Sequence, residues 1–259
     1  MLNLSNLKII VISMKTDINR RRNISNQLNI LGLNFVFFDA IVVRDKPEYK
    51  KYYNSLKARS IYKRDLTLGE LGCALSHQFV YQMLLEDVCY NYLILEDDAI
   101  LNNNIVDLLN NIDFVGGGWD VILLGYSKVS PSYYKKLNLI HPIGKSIYKF
   151  NKFSLGEVFK NSTCGTVAYL INKSGAEKLI NYNKEIYNLA DDWFYFDRYK
   201  LIKILHCRPF LIFEDYINFE SSIEKERSLV SNKVINNFFR DFLLYFRGFI
   251  YFFILRFFK

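Results

Sequence analysis

Three consecutive segments near the start of the chain decide the fold: LKIIVIS at residues 7–13, DINRRRNISNQLNIL at 17–31 and NFVFF at 34–38. The first is apolar and rich in Ile and Val, which is the pattern of a strand buried on both faces. The second is typical of a helix, and the third of a strand that follows a break at Gly32. Strand, helix and strand in this order predict the opening of a parallel sheet.

The alternation of strands and helices continues along the chain. Thr67 and Glu70 have the spacing of a capping box, which predicts a helix from there to about Glu86. A further helix is expected to begin near Ser174, and three apolar runs are typical of buried strands: 92–95, 119–125 and 166–171. The predicted fold class is α/β, a mostly parallel sheet flanked by helices in one domain over residues 1–236.

Composition excludes several classes of protein. The chain has 259 residues, of which 51% are hydrophobic, with only 12 Gly and 4 Pro, so disordered, collagenous and linker-dominated chains are excluded. A net charge of +8 indicates anionic partners, although no motif that reads nucleic acid accompanies it. Residues 44–64 carry much of the surplus, with eight Lys/Arg against two acids, and predict a solvated loop or lid.

The cysteines and the N-terminus bear on the cell compartment. Cys73, Cys89, Cys164 and Cys207 are widely spaced and form no CxxC pair, so neither a zinc site nor a disulfide framework is expected. The first residues lack the basic region and the longer apolar run of a signal peptide. We therefore expect reduced thiols and a cytoplasmic location.

The C-terminal segment, residues 237–259, differs from the rest of the chain. Residues 238–259 read FFRDFLLYFRGFIYFFILRFFK, in which Arg247 and Arg256 interrupt any apolar span long enough to cross a bilayer. The pattern predicts a helical tail that lies in the membrane interface, with aromatic rings among the headgroups and cations towards anionic lipid. The alternative is a terminal helix that packs on the core or on a second copy of the chain.

Glu96-Asp97-Asp98, at the end of an apolar strand, carries the strongest chemical signal. Burying three ionised carboxylates is expensive, so this position requires a metal ion or a solvent-filled cleft. The carboxyl end of a parallel strand provides such a cleft. In an extended chain Glu96 and Asp98 point to one side, where they could hold Mg²⁺ or Mn²⁺ against a diphosphate.

Five motifs occur in a characteristic order. They are IVIS at 10–13 followed by Arg20 and Arg21, LTLGELGCALSH at 66–77, LILEDDA at 93–99, WDVILLG at 119–125 and GTVAYLINKSGA at 165–176. In this combination the chain resembles glycosyltransferase family 25, which includes the lipooligosaccharide galactosyltransferases of Gram-negative bacteria. The resemblance implies a GT-A type fold, a UDP-sugar donor (most often UDP-galactose), inversion at the anomeric carbon and dependence on a divalent metal.

The resemblance and the residue pattern together suggest roles around the donor. Asp98 is expected to contact Mn²⁺ or Mg²⁺ directly. Glu96 is a second candidate metal ligand, and Glu96 and Asp97 are both candidates to hold the ribose or to support the metal ligands. Ser13, with Arg20 or Arg21, would meet the uridine or its phosphates. His77 shares a helix face with Cys73 and Glu70, which makes it a candidate for the active site; a structural role is the alternative.

An inverting transfer also needs a carboxylate that takes the proton of the acceptor hydroxyl. Asp191 and Asp192 form an acidic pair in an aromatic setting, and Asp192 is preferred over Asp191. Trp193, which follows, could stack on a sugar ring or belong to the core. The Glu214-Asp215 pair receives no role beyond surface or packing.

The predicted function is transfer of a hexose, galactose first, from a UDP-hexose to a lipid-linked oligosaccharide, such as lipooligosaccharide, at the inner face of the cytoplasmic membrane. One alternative is a metal-dependent phosphotransferase that uses the same triplet, although a phosphate-binding GxxxxGK[ST] loop is missing. The other is a non-catalytic membrane-associated binding protein, which the basic aromatic tail and the net charge alone would explain. UDP-dependent thermal stabilisation would argue against the phosphotransferase, and a lack of donor hydrolysis with any metal would favour the binding protein.

Overall fold

The structure is a computed structural model, and it describes residues 6–111, 118–127, 142–158, 165–215, 246–251 and 253–254. The strands in these ranges are β1 (Leu7–Ser13), β2 (Val36–Asp39), β3 (Asn91–Glu96), β4 (Ala99–Leu101), β5 (Val121–Leu123), β6 (Gly125–Tyr126), β7 (Ile143–Phe150), β8 (Phe153–Val158), β9 (Ala168–Asn172), β10 (Ile204–Arg208) and β11 (Ile212–Glu214). The helices are α1 (Ile18–Ile30), α2 (Ser55–Tyr62), α3 (Leu68–Glu86), α4 (Ile105–Asn111), α5 (Lys173–Tyr182) and α6 (Trp193–Arg198), with a 3₁₀ helix at Pro47–Tyr52. Residues 246–251 are also helical.

A central sheet has eight strands in the order β2-β1-β3-β9-β5-β10-β8-β7. The pairs β1–β2, β1–β3 and β5–β10 are parallel, whereas β9 and β8 run antiparallel to both of their neighbours. Six of the eight strands therefore point in one direction. The predicted α/β fold with a mostly parallel sheet is confirmed.

Both faces of the sheet are covered, as the apolar pattern of β1 predicts. Ile9 and Val11 pack into a core on one side together with Ile24 and Leu28 of α1. Ile10 and Ile12 pack into a second core on the other side, where α3 and α5 lie against each other. A strand that buries both alternating sets of side chains belongs in the middle layer of three.

Helix α3 begins as the sequence predicts. The Thr67 hydroxyl accepts from the Glu70 amide at 3.2 Å, and the Glu70 carboxylate accepts from the Thr67 amide at 2.9 Å, which completes the capping box. The same carboxylate is buried and accepts hydrogen bonds from both terminal nitrogens of Arg64, each at 2.7 Å. Glu70 is therefore occupied by helix capping and an ion pair.

The basic segment 44–64 is not the solvated loop that its composition predicts. It forms the 3₁₀ helix and α2, whose Ala58 is fully buried in a third apolar cluster with Leu75 and Ile186. Its charged ends remain exposed: Lys57 and Arg59 keep 57% and 59% of their side-chain surface. The charges reflect one solvated face, while the aromatic and aliphatic residues between them supply a packed face.

The later part of the chain contains strands that the sequence reading did not predict. β7 and β8 form an antiparallel hairpin, β10 joins the central sheet, and β11 builds a small sheet in the order β4-β11-β6. Most of the predicted tail and the proposed domain boundary at 236–237 lie outside the described residues. Within the described ranges, no helix combines the length and apolar character needed to cross a bilayer.

Candidate active site

A cavity of about 280 Å³ opens at the carboxyl ends of β1 and β3. Because these strands are parallel neighbours, with Ile12 opposite Glu96, their ends meet at one edge of the sheet. One side of the cavity is formed by residues that end the two strands, Ser13 and Glu96 to Asp98, and by Arg20 of α1. The rest of the lining consists of an apolar wall at residues 40–43, of Arg44, and of the first half of α3, where Cys73 and His77 lie near Glu96.

The apolar wall depends on a close approach between α3 and the chain at Ile41. A Cβ on Gly72 would lie 2.3 Å from the carbonyl oxygen of Ile41, so the helix can come this near only with glycine there. One turn on, the hydroxyl of Ser76 accepts from the Ile41 amide at 2.8 Å. The GELGCALSH motif thereby fixes the wall as well as the helix start.

Asp97 ties two predicted donor-site residues together. Its carboxylate accepts from the Ser13 hydroxyl at 2.6 Å and from the Arg20 guanidinium at 2.9 Å. Arg20 also reaches Asp98 at 3.2 Å. Burial and the two carboxylates compete in setting the pKa of Arg20, and the result is a raised pKa that keeps it cationic.

Arg21 is not among the residues that line the cavity. Its guanidinium donates to the Ser13 carbonyl at 2.9 Å and to the Asp39 carboxylate at 2.5 Å, and lies over the ring of Phe37. These contacts join the ends of β1 and β2. Of the two predicted arginines, only Arg20 lines the cavity.

Glu96 and Asp98 carry more negative charge than their surroundings balance. Burial and the neighbouring acids raise the pKa of Glu96 to about 7, although Thr166 donates its hydroxyl to the carboxylate. Burial, followed by the charge of Glu96, raises the pKa of Asp98 well above its usual value. Oδ1 of Asp98 is buried and has no hydrogen-bond partner among the described residues.

Glu214 is part of this acidic cluster, which the sequence reading missed. Its charge acts on both Glu96 and Asp98, and its neighbour Asp215 donates its amide to the Asp98 carbonyl at 2.8 Å. The signal was present: Glu214 follows the apolar run 211–213, as Glu96 follows 92–95. Both acids lie at the end of a buried strand.

His77 is completely buried against two tyrosines. Its Nδ1 lies 2.6 Å from the hydroxyl of Tyr169, which in turn lies 2.8 Å from that of Tyr81. Burial lowers the pKa of His77 to about 4, so the ring is neutral at physiological pH. The other nitrogen, Nε2, lies 3.9 Å from Oε1 of Glu96 and has no hydrogen-bond partner in the described part of the chain.

The two candidate bases have different surroundings. Asp192 is the N-cap of α6: one oxygen accepts from the Tyr195 amide at 3.1 Å and the other from the Tyr62 hydroxyl at 2.5 Å. Asp191 accepts from the Gly165 amide at 3.1 Å, and its charge acts on both His77 and Glu96. Neither residue lines the cavity, but the charge of Asp191 acts on Glu96, which does.

Trp193 belongs to the core rather than to a sugar platform. It is fully buried, its ring packs edge-on against Tyr169, and Nε1 donates to the Gly165 carbonyl at 2.9 Å. Gly165 has φ +89° and would bring a Cβ into the side chain of Ser127. Trp193 and Gly165 therefore fix the loop that holds Asp191.

Comparison with known families identifies this arrangement. The model of glycosyltransferase family 25 (LPS biosynthesis protein) matches residues 6–195, which include the acidic triplet, His77 and both candidate bases. The chain belongs to glycosyltransferase family 25.

Individual family 25 members share about a quarter of their residues with this chain. A Haemophilus influenzae protein described as a glycosyltransferase is 29% identical over 229 residues, covering 85% of this chain and 76% of its own length. The lipooligosaccharide biosynthesis protein lex-1 of the same species is 26% identical, covering 71% and 66%. Human procollagen galactosyltransferase 2 is 28% identical, covering 59% of this chain but only 22% of its own length.

The acidic cluster fits the divalent metal that family 25 implies. Carboxylate oxygens are the ligands that Mg²⁺ and Mn²⁺ prefer, and the unpartnered Oδ1 of Asp98 is such a ligand in a buried site. Desolvation and then the neighbouring acids raise the pKa values of Glu96 and Asp98, so the ionised cluster needs more positive charge than Arg20 gives it. A divalent cation would supply it.

Proposed function

We propose that this chain is an inverting glycosyltransferase that moves galactose from UDP-galactose to a lipooligosaccharide or other glycan acceptor. The observation that carries the proposal is the cavity at the carboxyl ends of β1 and β3, whose lining combines acids and Arg20 with apolar side chains at residues 40–43. A nucleoside diphosphate sugar fits these features: its planar base suits the apolar residues, and its diphosphate suits Arg20 and a cation held by the acids.

In this proposal Asp98 and Glu96 would hold Mn²⁺ or Mg²⁺, and such an ion would supply positive charge beside the leaving diphosphate. Arg20 adds a fixed positive charge on the same side, and Asp97 orients both Arg20 and the Ser13 hydroxyl. The uridine would lie against the wall at residues 40–43, close to Ser13. Arg21 would act only by holding the strand ends that carry Ser13.

We assign the general base to Asp191 rather than to Asp192. Both oxygens of Asp192 are engaged in capping α6 and binding Tyr62, whereas one amide contact leaves Asp191 capacity to accept a proton. As the acceptor oxygen bonds to the anomeric carbon, its proton passes to Asp191. The bond from that carbon to the β-phosphate oxygen breaks, and its electron pair leaves with UDP.

The acceptor would be reached at the membrane. In the described part of the tail, Phe246, Phe249, Ile250 and Phe253 are exposed and recur at the spacing of one helix face. Such a face suits insertion among lipid headgroups, with the tail cations on anionic lipid. We propose that residues 237–259 attach the enzyme peripherally to the inner face of the cytoplasmic membrane.

The donor is tested by incubating the protein with a panel of UDP-sugars and Mn²⁺ and measuring UDP release. Release with UDP-galactose that is abolished by EDTA supports the proposal, and NMR of the product gives the anomeric configuration. The proposal would be contradicted if none of the UDP-sugars gave UDP release, or if release were undiminished in excess EDTA.

The base is tested with Asp191→Asn and Asp192→Asn, each checked for UDP binding. Loss of transfer with UDP affinity retained is expected for Asp191→Asn, because the base acts on the acceptor. Asp192→Asn keeps the oxygen that caps α6, so a smaller loss is expected. The reverse result would return the role to Asp192.

The tail is tested by truncation after Asn236. The shortened protein should no longer float with anionic vesicles, yet should still transfer to a short water-soluble acceptor. If it still floats, or if it unfolds, the tail packs on protein and is not the anchor.

A further inference from the structure

Three side chains of different chemistry converge beside the acidic triplet. Cys73 and His77 lie four residues apart on α3 and therefore share a face, and Glu96 at the end of β3 meets them from the sheet. The thiol sulfur, an imidazole nitrogen and a carboxylate oxygen all lie within 4.8 Å of one another. All three residues line the cavity.

His77 supplies the observation that points to a ligand. Its side chain is 98% buried, and Nε2 makes no hydrogen bond within the described ranges. A buried ring nitrogen without a partner is costly, which makes a missing ligand the natural explanation. Nδ1 is held by Tyr169, the kind of outer contact that fixes the ring of a metal-binding histidine.

The three ligand types indicate which metal ion the site would prefer. Mg²⁺ and Mn²⁺ prefer oxygen, whereas thiolate, imidazole and carboxylate together are typical ligands of Zn²⁺. A thiolate and a carboxylate also balance the two positive charges of the ion, which matters in a buried site. Ligand atoms around tetrahedral zinc lie roughly 3.3–3.8 Å apart, so small side-chain rotations suffice.

We propose that Cys73, His77 and Glu96 form a binding site for Zn²⁺, separate in chemistry from the oxygen site at Asp98. The described residues supply three ligands, all of which line the cavity, so the fourth position would be open to it. Because Glu96 belongs to both sets, zinc withdraws it from the oxygen site and inhibits transfer. This last consequence rests on the proposed function; zinc binding itself does not.

Cobalt is the probe for binding, because Co²⁺ occupies zinc sites and a thiolate ligand gives it a charge-transfer absorption in the near ultraviolet. The full-length, metal-free protein is titrated with Co²⁺ and then with Zn²⁺. We expect the band to saturate at one equivalent and to disappear as zinc displaces cobalt. Absence of a thiolate band in the wild-type protein would overturn the proposal, whether or not any variant folds.

Variants assign the ligands. Cys73→Ser should remove the band, and His77→Gln should weaken binding by about tenfold or more. Cys89→Ser is the matched control, since Cys89 lies after α3 and outside the cavity; it should leave the titration unchanged. Circular dichroism of each variant verifies folding. A band that survives Cys73→Ser, or is lost equally in Cys89→Ser, would show that another cysteine binds the metal.

Inhibition is measured separately on Mn²⁺-supported UDP release. Zinc should inhibit the wild-type protein at concentrations that displace cobalt, and Cys73→Ser should require about tenfold more zinc relative to its own uninhibited rate. Cobalt binding without any UDP release would leave the zinc site standing and refute the proposed function. Equal zinc sensitivity in both proteins would refute the inhibitory role.

Discussion

Replacing Glu96 by Gln should change how stability depends on pH in the metal-free protein. The pKa of Glu96 is raised from 4.5 to about 7, so the folded state binds a proton more tightly than the unfolded chain does. The folded state therefore loses stability as the pH rises from about 4.5 to 7. Above pH 7 the ionised Glu96 lowers the free energy of unfolding by the full amount, roughly 3 kcal/mol. Gln removes the titrating group while its amide oxygen can still accept from Thr166.

The assay is urea unfolding in EDTA at pH 5 and pH 8. The free energy of unfolding of the wild-type protein should fall between these values by roughly 2–3 kcal/mol more than that of Glu96→Gln, because most of the titration lies between them. Asp98 also has a raised pKa, so some pH dependence should persist in the variant.

Glu177→Gln is the matched control, since Glu177 is an exposed carboxylate on α5. It should follow the wild-type protein at both pH values. Equal pH dependence in all three proteins would refute the inference that desolvation and the neighbouring acids raise the pKa of Glu96. Added Mn²⁺ should stabilise the wild-type protein more at pH 8 than at pH 5, because protons compete with the metal for the carboxylates.

Three further substitutions, with a fourth as a control, test the supports of the site by their effect on the free energy of unfolding. Gly165→Ala should cost more than about 1 kcal/mol and lower transfer, because φ is +89° and a Cβ has no room there. Thr67→Ala should cost about 1 kcal/mol by removing the α3 cap. Arg64→Ala should cost about 3 kcal/mol, because the buried Glu70 carboxylate loses its ion pair with Arg64. Arg59→Ala breaks an exposed pair and should cost much less. Similar costs for the two arginines would contradict this account.

Local signals predicted well wherever the structure depends on neighbours in sequence. The bounds of β1 agree with the apolar run 7–13, and α3 begins and ends where the capping box and the length of the pattern placed it. The strand that ends in the acidic triplet is likewise correct. In each case a few consecutive residues carry the cause, which is burial on two faces or a satisfied helix start.

Contacts between distant segments were harder to predict. The sequence favoured Asp192 over Asp191 as the base, but nothing local to Asp192 indicates its contact with Tyr62, which lies 130 residues away. Thr166 and Glu96 are 70 residues apart, and nothing local to either indicates the contact. The prediction of a solvated loop at 44–64 was wrong for the same reason. One face of this segment packs against residues 182–190, and its composition does not indicate that contact.

The small sheet gives the acidic cluster its shape. β4 begins directly after the triplet, and β11 runs antiparallel to it with Glu214 opposite Ala99. This pairing turns the chain just past Asp98 and brings a fourth carboxylate to the three that end β3. The cluster therefore arises where two sheets meet, and each sheet alone would bury fewer like charges. Desolvation, and after it repulsion between these acids, raises the pKa values that a bound cation would lower. By adding Glu214, the small sheet increases the competition between metal binding and protonation. A shift of one residue in the β4–β11 register would turn Glu214 to the opposite face and weaken that competition.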